Sequence, residues 1–178
     1  MAEKTVSNQY MYQGRIVTLR REEVESPDGK RHLREIVEHP DAVVAIVLTG
    51  PSTLLMVEQY RRAPDKVMLE LPAGKVDPGE GLEEACRREV VEETGVYPAV
   101  LEHLLSFYPS PGFCTERMHL FLATELSPRP EGVLEGEIDR LHEVSVSDLL
   151  GRIKRGEIED AKTVIGGLLL AQRLGVTS

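Results

Sequence analysis

GKVDPGEGLEEACRREVVEETGV, residues Gly74 to Val96, places nine residue types at set offsets: Gly74, Glu80, Arg88, Glu89, Val90, Glu92, Glu93, Gly95 and Val96. Its local signals predict a helix over about Gly81 to Thr94, started by Pro78-Gly79-Glu80 and stopped by Gly95, which can take the left-handed conformation just past a helix end. On that helix Leu82, Ala85, Cys86, Glu89, Val90 and Glu93 form one stripe at spacings of three and four, the face that should be buried. Two members of the stripe are carboxylates, and an ionised carboxylate persists on an inward face only if a partner offsets its desolvation. Glu89 and Glu93 stand one turn apart, roughly 6 Å along the axis, with Glu92 beside them. Arg88 can neutralise one charge at most. A divalent cation held by oxygen ligands is the economical solution, and Mg²⁺ is the first choice because it keeps waters and pairs with substrate phosphates. A solvated acidic helix would not require Gly74, Glu80 and Gly95 at these offsets.

Working outward, Tyr10 to His39 reads as an antiparallel hairpin, Ile16 to Val24 and Arg31 to Glu38 around a Pro27-Asp28-Gly29-Lys30 turn. Ala42 to Leu48 and Leu54 to Gln59 are apolar runs split by Gly50-Pro51, as in central strands. Val67 to Leu71, Val100 to Phe107 and His119 to Thr124 are further strands, with loops over Tyr108 to Arg117 and Leu126 to about Glu137. Helices near Ser147 to Arg155 and Ala161 to Leu174 close the chain. Strands dominating the first two thirds, with helices between and after them, predict a mixed α/β layered fold, helix on sheet on helix.

The chain has 178 residues, enough for its own core. Its longest apolar run, around Gly166 to Ala171, is far shorter than the ~20 residues that span a bilayer, and Met1-Ala2-Glu3-Lys4 lacks a secretory core. A soluble, cytoplasmic protein with no membrane partner is the expectation. Thirty acidic residues against twenty-one basic ones give a net charge of −9, which repels a polyanionic backbone and disfavours nucleic acid. Five Tyr, three Phe and no Trp give little surface for stacking bases. A small anionic substrate remains compatible, because a bound cation reverses the local sign. Cys86 and Cys114 stand in no metal-binding spacing, and Cys86 on the inward stripe reads as a small core residue.

The Gly74 to Val96 stretch resembles the Nudix box, the signature of hydrolases that cut diphosphates linked to a nucleoside, with every fixed position filled. The resemblance implies the Nudix α/β/α sandwich with a mixed sheet over residues 41–178, preceded by residues 1–40 as an N-terminal hairpin extension. In similar enzymes such an extension packs on a second subunit and helps build the substrate site, so a homodimer is implied. It also implies metal ligation by Glu89, Glu93 and the backbone carbonyl of Ala73, and a share in ligation and orientation for Glu92. Two or three Mg²⁺ ions are expected, with Mn²⁺ or Zn²⁺ as substitutes. Gly74, Glu80 and Arg88 read as structural support, the last two as an ion pair holding the box loop to its helix.

Carboxylates bound to Mg²⁺ are poor proton acceptors, so the base is sought in VLEGEIDRLHEV, where Glu137-Ile138 best fits the acid-plus-apolar pairing of ADP-ribose pyrophosphatases. Glu137 is the first choice of base and Glu135 the second. Pro111, fifteen positions after Val96, within Ser110-Pro111-Gly112-Phe113, resembles the same subfamily. Gln59-Tyr60-Arg61-Arg62 resembles its Gln-aromatic-Arg segment, whose Arg binds phosphate, a role a guanidinium fork suits. Arg34, Glu35 and His39 match positions that grip the adenine, Ser110 lies in the substrate loop, and Glu116 is a candidate metal or ribose contact. The implied reaction is ADP-ribose plus water to AMP and ribose 5-phosphate. GDP-mannose or another nucleoside diphosphate derivative is the alternative substrate, and a non-catalytic ADP-ribose sensor the alternative from another class.

Overall fold

A computed structural model describes residues 2–129 and 140–176, which divide into two compact units. Residues 1–41 with 108–117 form the first, and 42–107 with 118–178 the second. Among the described residues no helix is long and apolar enough to cross a membrane.

The first unit is a three-stranded antiparallel sheet in the order β1 (Lys4–Gln13), β2 (Thr18–Glu25), β3 (Arg31–Glu38). The expected hairpin is β2–β3. Its connection closes through Gly29, at φ 81°, with the N–H of Gly29 donating to Ser26 O and that of Ser26 to Lys30 O. The further strand β1 was not foreseen, for a physical reason: KTVSNQYMYQ has no alternation, since every residue in it is exposed. Val6, Tyr10, Met11 and Tyr12 are large side chains left on this surface.

The second unit holds a seven-stranded mixed sheet. Its main path runs β10 (Arg140–Ser145), β5 (Thr53–Arg61), β4 (Ala42–Gly50), β9 (Met118–Pro128), β8 (Val96–Phe107). β4 and β9 pair in parallel at its centre, buried on both faces, which is why both read as continuous apolar runs. Period-two alternation sorts their side chains. Val43, Ala45, Val47, Phe121 and Ala123 pack with Ala85, Cys86 and Val90 of α1 (Leu82–Thr94). Val44, Ile46, Leu120 and Leu122 pack with Leu149 and Leu150 of α2 (Val146–Lys154) and Leu170 and Ala171 of α3 (Ala161–Leu174). The result is the expected sandwich, helix on sheet on helix.

The sheet forks beside β4, and the fork positions the site. β4 pairs β5 over Val47 to Gly50 but pairs β7 (Ala73–Lys75) over Ala42 to Val44. β5 leaves β4 after Leu55 and takes β6 (Lys66–Glu70) as its neighbour from Val57 to Arg61. Leu71 and Pro72 fill the gap, with the N–H of Ala45 donating to Pro72 O at 2.9 Å. The end of β6 at Glu70, opposite Val57 of β5, therefore leads through Leu71-Pro72 directly into β7 at the fork.

Ile46 is fully buried in the cluster under α2 and α3. Ile46→Ala should lower the unfolding free energy by about 2–5 kcal/mol with an unchanged denaturant dependence. Urea unfolding followed by circular dichroism checks this, and a loss under about 1 kcal/mol would show a core that collapses around the deletion.

Candidate active site

α1 begins without a side-chain cap at Gly81 and ends at Gly95, whose φ of 71° lets its N–H turn back to Val91 O at 3.0 Å. Glu83 and Glu84 in its first turn suit the positive end of the helix dipole. The turn before it closes between Asp77 and Glu80: the Glu80 N–H donates to Asp77 O at 3.0 Å, and the Asp77 N–H to Glu80 Oε2 at 3.1 Å. Arg88 reaches back to this turn with Nε on Glu80 Oε1 at 2.9 Å, Nη2 on Glu80 Oε2 at 3.0 Å and Nη2 on Lys75 O at 3.0 Å. That hydrogen-bonded fork holds the Glu80 carboxyl below its usual range. Nη1 of the same guanidinium meets Glu89 at 2.7 Å and Glu92 at 3.4 Å. One cation thus serves three carboxylates, more than its single charge can balance.

The inward carboxylates are seated on β7. The Glu89 carboxyl lies directly over the Gly74 α-carbon: a β-carbon at position 74 would fall 1.8 Å from Glu89 Cδ. Only glycine leaves that space. Glu93 accepts from the Ala73 N–H at 3.0 Å and from Gln59 Nε2 at 3.3 Å. Burial pushes Glu93 up to about 7. The Ala73 N–H pulls against that rise, the Glu89 charge adds to it, and Gln59 and Arg61 pull back. Glu89 is also raised, first by burial, with Arg88 restraining the rise and the Glu92 and Glu80 charges adding to it. Glu92 stands outward of this pair, its side chain 37% exposed.

Two desolvated carboxylates at the ends of the forked strands are a donor set for a hard cation that keeps waters. Gln59 Oε1 is buried and without a hydrogen-bond partner among the described residues, an acceptor left over on the amide whose Nε2 donates to Glu93. The described residues contain no cluster of three carboxylate, imidazole or thiol side chains that closes a metal shell by itself. Backbone oxygen and water would complete it, and the donor chemistry fits an octahedral, partly hydrated ion.

Arg61, at the end of β5, turns its Nε and Nη2 onto both oxygens of Glu70, each at 2.7 Å. That fork raises its pKa further, and its charge reaches Glu93. Within the first unit, Arg34, Glu35 and Pro111 to Thr115 line a cavity of about 710 Å³. Arg34 pairs there with Glu3 at 2.5 Å. His39 donates its backbone N–H to Thr115 Oγ1 at 3.0 Å and brings Nδ1 to 3.4 Å from Glu116. Ser110 O accepts from the N–H groups of Phe113 and Cys114. Glu135 and Glu137 lie outside the described residues. Burial pushes the Cys86 thiol up to about 12, in keeping with a core role.

Sequence reasoning passed over Gln59, Glu70 and Lys162. The signal was there for the last two: an acid closing the apolar strand KVMLE, and a lysine set between Asp160-Ala161 and the apolar run of α3.

Residues 38–165 match the NUDIX domain family and residues 3–40 the nucleoside diphosphate sugar hydrolase N-terminal domain. The chain is 42% identical over 165 residues to the methanol dehydrogenase activator of Bacillus methanolicus, covering 92% of this chain and 89% of that protein. It is 39% identical to the ADP-ribose pyrophosphatase of Bacillus subtilis, with the same coverage of 92% and 89%. It is 36% identical over 152 residues to the GDP-mannose pyrophosphatase of Cronobacter sakazakii, covering 78% of each chain. A solved structure described as an ADP compounds hydrolase superposes with a TM-score of 0.85 at 22% identity, over 98% of this chain and 95% of that one, a likeness of fold.

Two outcomes follow from the seating of the carboxylates. Gly74→Ala should displace Glu89 and cut turnover by about a hundredfold or more, as misplacement by an ångström does, while circular dichroism stays unchanged. In metal-free protein, Glu93 keeps its proton to higher pH folded than unfolded. Its contribution is fully present below 4.5, the ordinary value, and is lost as pH rises through about 7. Glu93→Gln should therefore unfold at a higher temperature than wild type at pH 8 in chelator, the difference vanishing below about pH 4.5. Equal midpoints at pH 8 would show that the Glu93 carboxyl is not held desolvated.

Proposed function

Since the chain belongs to the Nudix family, we propose that it is a divalent-metal-dependent ADP-ribose pyrophosphatase, converting ADP-ribose and water to AMP and ribose 5-phosphate. The observation that carries this reading is the pair of desolvated carboxylates, Glu89 over Gly74 and Glu93 on Ala73 N, backed by the ADP-ribose pyrophosphatase relatives. When bound, Mg²⁺ neutralises phosphoryl oxygens and lowers the pKa of a coordinated water. Glu89, Glu93 and the Ala73 carbonyl would hold the ions, two or three in this reading, with Glu92 shared between ligation and orientation of water. Gly74, Glu80 and Arg88 keep that set in place. The Arg61 fork on Glu70 spends Nε and Nη2 and leaves the Nη1 edge for a phosphate oxygen. Glu137, or next Glu135, takes the proton of the attacking water as the bridging P–O bond breaks. Arg34, Glu35, His39, Ser110 and Glu116 are assigned to the nucleoside and ribose.

The preference for adenine rests on polar groups placed for that base. kcat/KM for ADP-ribose should exceed that for GDP-mannose, because a changed base leaves the polar partners of adenine unmatched. A turnover panel of ADP-ribose, GDP-mannose and NADH, with Mg²⁺ and with chelator, decides it, a coupling phosphatase freeing inorganic phosphate from the phosphomonoester products. GDP-mannose turned over faster would install the second reading, which the 36% identical relative favours. Binding of ADP-ribose without turnover in Mg²⁺ would make the chain a sensor.

Residues 1–40 serve in this reading as an extension that pairs subunits in a cytoplasmic homodimer and contributes substrate contacts, with 41–178 as the hydrolase domain. The exposed Tyr10, Met11 and Tyr12 of β1 support it, since a surface of this kind on an edge strand invites a partner. Removing the residues before Asp41 should give monomers in sedimentation and raise KM at least as much as it lowers kcat. Full-length protein that sediments as a monomer at assay concentration while turning over normally would dispose of the dimer.

A further inference from the structure

Arg61 is anchored by an ionic chain that runs from the forked strands into the start of α3. Glu70, only 2% exposed, receives the Arg61 fork on one side and Lys162 Nζ on its Oε2 from the other. Lys162, 5% exposed, lies 3.0 Å from Asp160 Oδ2. Asp160 is the N-cap of α3, accepting from Thr163 N at 3.0 Å and from Thr163 Oγ1 at 2.6 Å. Thr163 Oγ1 in turn accepts from the Leu71 N–H at 2.8 Å. Leu71 is two residues before Ala73, whose N–H holds Glu93. Two cations and two carboxylates thus tie the phosphate-directed guanidinium and the strand segment under Glu93 to one helix end.

Packing alone does not call for this arrangement. Burying a lysine costs several kcal/mol unless it is paired, and replacing a buried ionic network by apolar side chains of similar volume is often neutral or stabilising. Lys162 also sits in the first turn of α3, where the helix dipole disfavours a cation. A side chain kept there against both terms has a role in geometry. Without it, Arg61 would be the cation left, among the described residues, to the buried Glu70 and the partly exposed Asp160, both of which already act on its charge. The guanidinium would then be drawn inward, away from a phosphate.

We propose that Lys162 is a positioning residue for the reaction. By saturating Glu70 Oε2 and Asp160 it limits Glu70 to a side-on grip of Arg61, so that the Nη1 edge stays turned out for the diphosphate. The inference rests on the reading of Arg61 as the phosphate-binding group. Lys162 and Arg61 are then energetically coupled in the reaction, as a purely structural lysine would not be.

The test is a double-mutant cycle on kcat/KM for ADP-ribose with Arg61→Gln and Lys162→Met, alongside unfolding midpoints. Lys162→Met should lower kcat/KM by about tenfold or more in the wild-type background and by less than about threefold in the Arg61→Gln background. Lys162→Arg, which keeps the cation, should restore most of the loss. If Lys162→Met does not fold, Glu70→Gln enters the same cycle with the same expected coupling. Equal losses in both backgrounds would overturn the proposal and leave Lys162 a stability residue. Arg61→Gln turning over within about threefold of wild type would instead remove Arg61 from phosphate binding, and the inference would fall with that reading.

Discussion

The Glu89 carboxylate rests on the bare α-carbon of Gly74, and Glu93, one turn along, rests on the Ala73 N–H. These two seats put negative charge on the face of α1 that also carries Ala85, Cys86 and Val90 into the core. A helix can present acids inward only if something holds them there against desolvation. Here the hold is partial. Arg88 is shared among Glu80, Glu89 and Glu92, and among the described residues Glu93 has dipolar partners rather than a directly paired cation. The unresolved charge is what makes the site receptive to a divalent ion.

That seat exists because the sheet forks. If β4 and β5 stayed paired along their length, no strand end would reach α1 at Ala73 and Gly74. By parting after Leu55 they admit Leu71-Pro72 and β7, which bring a backbone N–H and an unsubstituted α-carbon beneath the two glutamates. Glu70 ends β6 at this fork, opposite Val57 of β5, the Arg61 side chain reaches back to it, and α3 joins it through Thr163 and Lys162. The C-terminal helix therefore does more than cover the sheet: its capped end is bonded to the segment that supports the acids.

Much of this was legible because local pattern and tertiary environment agree. The β4 and β9 runs are apolar throughout since both of their faces are covered, and α3 spans the expected Ala161 to Leu174. The acidic stripe of α1 gave itself away by periodicity. β1 was not legible because an exposed strand needs no alternation, and its ten residues carry none. Glu70 and Lys162 escaped because each looks ordinary in its own segment and makes sense only across 92 residues of sequence. Gln59 was quoted within its segment, yet its hold on Glu93 depends on the fork, which no local pattern encodes.

Burial lifts the Glu93 carboxyl to about 7, so a divalent cation that binds it near neutral pH displaces the proton it partly carries. Calorimetric titration of Mg²⁺ near pH 7, repeated in buffers of different ionisation enthalpy, counts the protons released per ion bound. Saturable binding is expected with a release of roughly half a proton at pH 7, from a carboxyl raised to about 7, and with loss of that release in Glu93→Gln. Binding of Mg²⁺ with no proton release, or with the same release in Glu93→Gln, would contradict it.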